Sequence, residues 1–142
     1  MVLLKEKYGA RTLPIWIGEN EAMAIALSLE GIKPQRPLTH DLLKIVIDTF
    51  QAKVVKIGIV ELRNETYFAK IYIQSDSKLF AIDARPSDSI ALALRTKSSI
   101  FVNDGVMGAN GVVLQGDTNV DELKRRLRNT KPEKFGDFNL NK

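Results

Sequence analysis

The sequence predicts an α+β fold, a single domain in which a mixed or antiparallel sheet with a central meander is combined with about four helices. Three observations carry this. Two runs, Lys53–Leu62 and Thr66–Gln74, read as strands, and a third, Leu79–Ala84, follows the turn "SDSK". In the second run Tyr67, Ala69, Ile71 and Ile73 alternate with Phe68, Lys70 and Tyr72, the period of a half-buried strand. Helical spacing flanks these strands on both sides. Finally, the 142 residues are 44% hydrophobic and 27% charged, enough to fill one core, with no linker or low-complexity tract to divide them. The domain is expected to span residues 1–130, followed by a loosely held tail over 131–142.

Each element follows from local chemistry. "VLLKEKYGARTLPIWIG" reads as a hairpin with Leu3 and Leu4 in one arm, Gly9 in the turn and Leu13–Ile17 in the other. Pro14 donates no ladder hydrogen bond, which places its arm at or near an edge. A hairpin beginning at residue 2 is expected to reflect either a missing upstream strand or a short natural variant. Residues 19–30 place Ala22, Ile25, Ala26 and Leu29 on one helical stripe, with Gly31 as the stop. Thr39 is expected to cap a second helix whose Leu43, Val46, Ile47 and Phe50 face inward. A third helix runs from Pro86 to Thr96, with proline in the first turn, where its missing N–H costs little. "SSIFV" is a short strand. "NDGVMGANGVVLQGD", broken by glycines, reads as loops around one short strand. A last helix, "NVDELKRRLRN", buries Val120, Leu123 and Leu127.

Composition removes several function classes. There is no cysteine, so neither disulfides nor thiolate metal sites can form. No apolar run approaches the ~18–20 residues of a membrane helix, and "MVLLKEKYG" turns charged too early for a signal peptide. A cytoplasmic protein without membrane association is the expectation. The net charge of +4 and pI of 9.4 permit a polyanionic partner without requiring one. "GVMGANG" lacks the Lys-Ser/Thr ending of a phosphate-binding loop, and no compact histidine spacing for zinc exists.

Two segments echo one another. "RPLTHDLL", from Arg36, and "RPSDSIAL", from Arg85, each run Arg-Pro, a hydroxyl residue, an acid and then apolar residues. Together with "RTLPIWIGENEAMAIAL", the meander, "DARPSDSIALALR", "SSIFV" and the ending "LKRRLRNTKPEKFGDF", in this order and spacing, they resemble the bifunctional nuclease (BFN) domain family over nearly the whole chain. The resemblance implies a small α+β protein, a homo-oligomer, that hydrolyses phosphodiester bonds in RNA and DNA with little sequence specificity.

The residues offer the parts such chemistry needs. His40 is the sole histidine and the only side chain type that titrates near neutrality unaided, so proton transfer is assigned to it. Asp41 is kept as a catalytic candidate, although helix neighbours point about 100° apart and it is not expected to orient the His40 ring. Asp83 and Asp88 bracket Arg85 and are expected to bind a divalent cation such as Mg or to orient water. Arg36 and Arg85 are expected to clamp phosphate. Lys124, Arg125 and Arg128 form a basic run suited to non-specific phosphate contact. Each has a plainer reading: first-turn acids complement the helix dipole, arginines pair with them, and a basic run is a solvated face. Glu21 reads as such a first-turn acid. If those plainer readings hold throughout, the chain is a non-catalytic nucleic-acid-binding or regulatory module.

Overall fold

A computed structural model of the chain describes residues 1–114. The first strands, β1 (Val2–Lys5) and β2 (Arg11–Ile15), form the expected hairpin. Pro14 lies opposite Leu3, beyond the two residue pairs by which β2 meets β7 (Val112–Val113). At Pro14 the strand therefore has β1 as its only neighbour among the described residues, which is how a residue without an N–H is accommodated. The second sheet has the order β5-β4-β3-β6. Here β3 (Lys53–Arg63), β4 (Thr66–Ser75) and β5 (Lys78–Ala84) are the antiparallel meander, and β6 (Ser99–Val102) joins parallel to β3. Asn64 and Glu65 both have positive φ, the condition for a tight two-residue hairpin turn.

Helix α3 (Pro86–Thr96) is the packing centre. Residues 89–93 are all buried, and the short side chains of Ser89, Ala91 and Ala93 let it lie close against its neighbours. It touches α1 (Glu19–Leu29), α2 (Thr39–Thr49), β3 and β4. The inner face of the sheet meets it with Ile57, Ile59, Ala69, Ile71 and Ile73, and Leu13 and Ile15 of the hairpin join the same core. No helix among the described residues is long and apolar enough to cross a membrane.

Several sequence expectations change. Leu38, not Thr39, occupies the N-cap of α2, and it offers no side-chain cap. The inward stripe of α2 reduces to Ile47; Leu43, Val46 and Phe50 are exposed, Phe50 by 76%. In α1, Ile25 is buried but Leu29 is not. Both helices lean on α3, and their apolar stripes are wider than the surface the described residues provide for them. The glycine-punctuated stretch forms helix α4 (Asp104–Asn110), started by the Asn103 side chain, which accepts the Gly105 N–H at 2.8 Å. That local cap outweighs the cost of Gly105 and Gly108 inside the helix. The helix expected near 119–129 and the tail lie outside the described residues.

Three helices end the same way. After α1, Ile32 N–H reaches Leu27 O at 2.9 Å and Gly31 N–H reaches Ser28 O at 3.3 Å, with Gly31 at φ +68°. After α2, Ala52 and Gln51 repeat the pattern on Ile47 and Asp48, with Gln51 at φ +56°. Lys97 takes the left-handed place after α3. This C-terminal motif favours glycine. Gly31→Ala is therefore expected to lower stability by about 1 kcal/mol and Gln51→Gly to raise it by a smaller amount. Opposite shifts of the urea midpoint at these equivalent positions are the check.

Candidate active site

The N-terminal turns of α1, α2 and α3 come together through side chains. His40, in the first turn of α2, places Nε2 2.9 Å from Oδ1 of Asp88, in the first turn of α3. Arg85, the N-cap of α3, donates to the same carboxylate from Nε at 2.7 Å and from Nη2 at 3.1 Å. Its Nη1 lies 3.1 Å from Oε1 of Glu21, in the first turn of α1. One imidazole, two carboxylates and one guanidinium are thus gathered from three helices. The His40 side chain is 12% exposed and that of Arg85 58% exposed, so the cluster opens to solvent on the arginine side.

The protonation pattern follows from Asp88. Burial pushes its carboxyl up, but hydrogen bonds from Arg85 and His40, with the charges of both, outweigh this and hold it below the ordinary value. An ionised carboxylate only accepts hydrogen bonds, so His40 must carry its proton on Nε2. Nδ1 is left as the nitrogen able to take a proton from elsewhere. None of the three N-caps, Gly18, Leu38 and Arg85, gives its helix a side-chain cap. Each N-terminus is equivalent to roughly half a positive charge, which offsets the carboxylate that Arg85 alone does not balance.

A second ion pair lies alongside. Arg95, 8% exposed, donates from Nε to Asp41 Oδ1 at 2.6 Å, from Nη1 to Ala91 O at 2.9 Å and from Nη2 to Ala24 O at 3.1 Å. Asp41 Oδ2 accepts the Leu38 N–H at 2.9 Å. Burial raises the Asp41 carboxyl, but the Arg95 and Leu38 hydrogen bonds, with the charges of Arg95 and His40, bring the net shift downward. Both oxygens of Asp41 are therefore engaged, and its work here is to hold α2 against α1 and α3.

The sequence candidates thus separate. His40, Asp88 and Arg85 are brought together, and Asp41 sits beside them in the Arg95 pair. Asp83 is not brought to them. It is exposed on β5 opposite Lys70, whose strand neighbours Ala69 and Ile71 are buried toward the helices. Facing residues share one side of a sheet, so Asp83 points away from the helix layer. Arg36 is exposed in the bend before α2. Lys124, Arg125 and Arg128 lie outside the described residues. No group of three or more His, Cys, Asp or Glu side chains able to hold a metal ion occurs among the described residues. With Asp83 turned away from Asp88, the donor set does not fit the expected divalent ion, and no step is derived through one. Glu21, read from the sequence as a first-turn acid, joins the site through Arg85, and Arg95 joins it without having been singled out. Arg95 had one visible signal, being the lone charge at the end of the apolar run "IALALR".

A family model described as the bifunctional nuclease domain matches residues 2–115. An uncharacterized protein of Mycobacterium tuberculosis strain H37Rv is 38% identical over 138 residues, 97% of this chain and 82% of that protein. Bifunctional nuclease 1 of Oryza sativa subsp. japonica is 27% identical over 115 residues, 79% of this chain but 35% of its own length. Bifunctional nuclease 2 of Arabidopsis thaliana matches at 27% identity over the same shares.

Two stability outcomes follow. Asp41→Asn leaves a buried guanidinium without its counter-charge and should cost about 1.5–3 kcal/mol in urea unfolding, the range for a hydrogen bond to a charged group. For Asp88, a folded-state pKa below the ordinary 3.8 means that its stabilising contribution is complete above that pH and is lost as pH falls through the lowered value. As pH falls below 3.8 the stability gap between the parent and Asp88→Asn should close. Urea midpoints measured across the acid range read this directly.

Proposed function

The chain belongs to the bifunctional nuclease domain family, and from that premise we propose that it hydrolyses phosphodiester bonds in RNA and DNA with little sequence preference. The observation that carries the reading is the His40–Asp88 hydrogen bond, 48 residues apart in sequence, with Arg85 on the same carboxylate. Asp88 fixes the ring, and Nδ1 of His40 takes the proton of the attacking water or ribose hydroxyl and returns it to the leaving oxygen as the P–O bond breaks. Arg85 spends three of its five N–H groups on Asp88 and Glu21, leaving two for a phosphate oxygen. The guanidinium and the three helix N-termini then stabilise the charge that develops on the phosphoryl group. The proposal includes a homo-oligomer, supported by apolar side chains of α2 left in solvent, Leu42, Ile45 and Phe50 among them.

The test is turnover of single-stranded RNA and DNA by highly purified protein. His40→Ala and Asp88→Asn should each lower the rate by about 10²–10⁴-fold, the usual contribution of a positioned acid–base group. Cleavage that persists unchanged in both variants would place the activity elsewhere. Binding without turnover by the parent would instead favour the non-catalytic nucleic-acid-binding reading.

A further inference from the structure

The face of the four-stranded sheet turned away from the helices is not used by the cluster described above. The strand registers define it. Gly58 faces Lys70 on β4 and Phe101 on β6, and Lys70 in turn faces Asp83. Lys56 faces Tyr72 and Ser99, and Glu61 faces Phe68. The inner face of this sheet holds Ile57, Ile59, Ala69 and Ile71, all buried. On the outer face Phe101 is 56% exposed, Tyr72 and Phe68 are half-buried, and Lys56, Arg63 and Lys70 are exposed.

Cations and rings interleave there. Lys56 Nζ lies 5.0 Å from the Tyr72 ring centroid and 5.5 Å from that of Phe101. The Arg63 guanidinium carbon lies 4.6 Å from the Phe68 centroid. Among the described strand residues of this face, Lys53, Lys56, Arg63 and Lys70 stand against Glu61 and Asp83, a net positive charge. Gly58 adds no side chain between the rings; a Cβ there would stand 3.6 Å from Tyr72 Cε2. Gly58 itself is buried beneath these neighbours, and the face above it is made of aromatic rings with ammonium and guanidinium groups beside them.

We propose that this outer face is a stacking platform for single-stranded nucleic acid, with Phe101, Tyr72 and Phe68 receiving bases and Lys56, Lys70 and Arg63 receiving phosphates. Charge complementarity commits the surface to a polyanion. The rings commit it to unpaired bases, because in a duplex the faces of the bases are already stacked. Phe68 and Tyr72 are four residues apart on one strand, roughly 13 Å, a separation that an extended strand bridges with a nucleotide between. The platform runs toward the cluster: β5 ends at Ala84, paired with Ala69, and the next residue is Arg85. The inference rests on the substrate class proposed above, not on its chemistry.

Binding is measured by fluorescence anisotropy with the full chain carrying His40→Gln, so that cleavage does not enter. The probes are fluorescein-labelled twelve-nucleotide oligodeoxythymidylate and oligouridylate, a duplex of equal length, and an abasic strand. The single strands should bind more tightly than the duplex. Phe101→Ala and Tyr72→Leu should each weaken binding to the base-bearing strands by about tenfold and leave the abasic strand unaffected. Lys56→Gln combined with Lys70→Gln should weaken every probe and reduce the salt slope by about 0.7 per lysine. Asp83→Asn should tighten binding, since it removes a negative charge from the face. Thermal melts of each variant separate lost contacts from lost folding. Equal affinity for duplex and single strand, affinity indifferent to both ring variants, or a parent oligomer that buries Phe101 overturns the proposal. The two readings fail separately. A parent that cuts neither nucleic acid but binds through the rings ends the hydrolytic one alone, and cutting with ring-independent binding ends this one alone.

Discussion

The helix layer depends on where the Arg95 guanidinium can be placed. A buried cation is tolerated only when its donors are met, and those of Arg95 are met by α1, α2 and its own helix. Ala24 O on α1 and Asp41 on α2 fix both helices relative to α3. The positions follow down the chain. Glu21 lies one turn before Ala24, and His40 immediately precedes Asp41. Asp41 also holds the Leu38 N–H at the point where α2 begins. The two ion-pair groups thus divide the work, with Arg95–Asp41 setting the angles and Arg85–Asp88 using the position those angles create.

The sheet and α3 were legible because their signals are local. Alternation in 66–74 states which side chains go inward, and Pro86 states where the helix starts; both hold in the structure. The reading of α2 did not hold, because a periodic apolar stripe shows only that a face is apolar, and the chain covers little beyond Ile47. Helix α4 was hidden because glycine lowers helix propensity, while the Asn103 cap that rescues it is a single side chain. At the site, the paired Arg-Pro segments pointed to residues that do meet, His40 and Asp88. What could not be read is which acid meets which base. Asp41 finds Arg95 across 54 residues, and Arg95 finds Ala24 across 71. Asp83, five residues before Asp88, is sent to the other face by strand parity alone.

That parity gives the domain two unlike sides. Toward the helices, the sheet presents branched aliphatic residues to the small side chains of α3, a dry interface that fixes where Asp88 and Arg85 stand. Away from them, the same strands carry rings and cations with no helix among the described residues to cover them. Strand β5 and the residue after it connect the two sides within three positions, Asp83, Ala84 and Arg85. A polymer lying along the outer face would therefore reach the exposed arginine at the sheet's end without entering the core.

The direction in which a proton can move is set by Arg85. Were Asp88 free, it would share the imidazole proton and draw it inward. With the guanidinium on both of its oxygens, its affinity for a proton falls, so it orients His40 and stabilises positive charge on the ring without taking the proton itself. Proton exchange is then confined to Nδ1. In the proposed hydrolysis the same arginine would meet the substrate with N–H groups it has not yet used, so phosphate need not break the pair that organises the histidine. On the proposed reading one residue links substrate contact to the readiness of the base, so the Arg85–Asp88 contact would serve the chemistry as well as the fold.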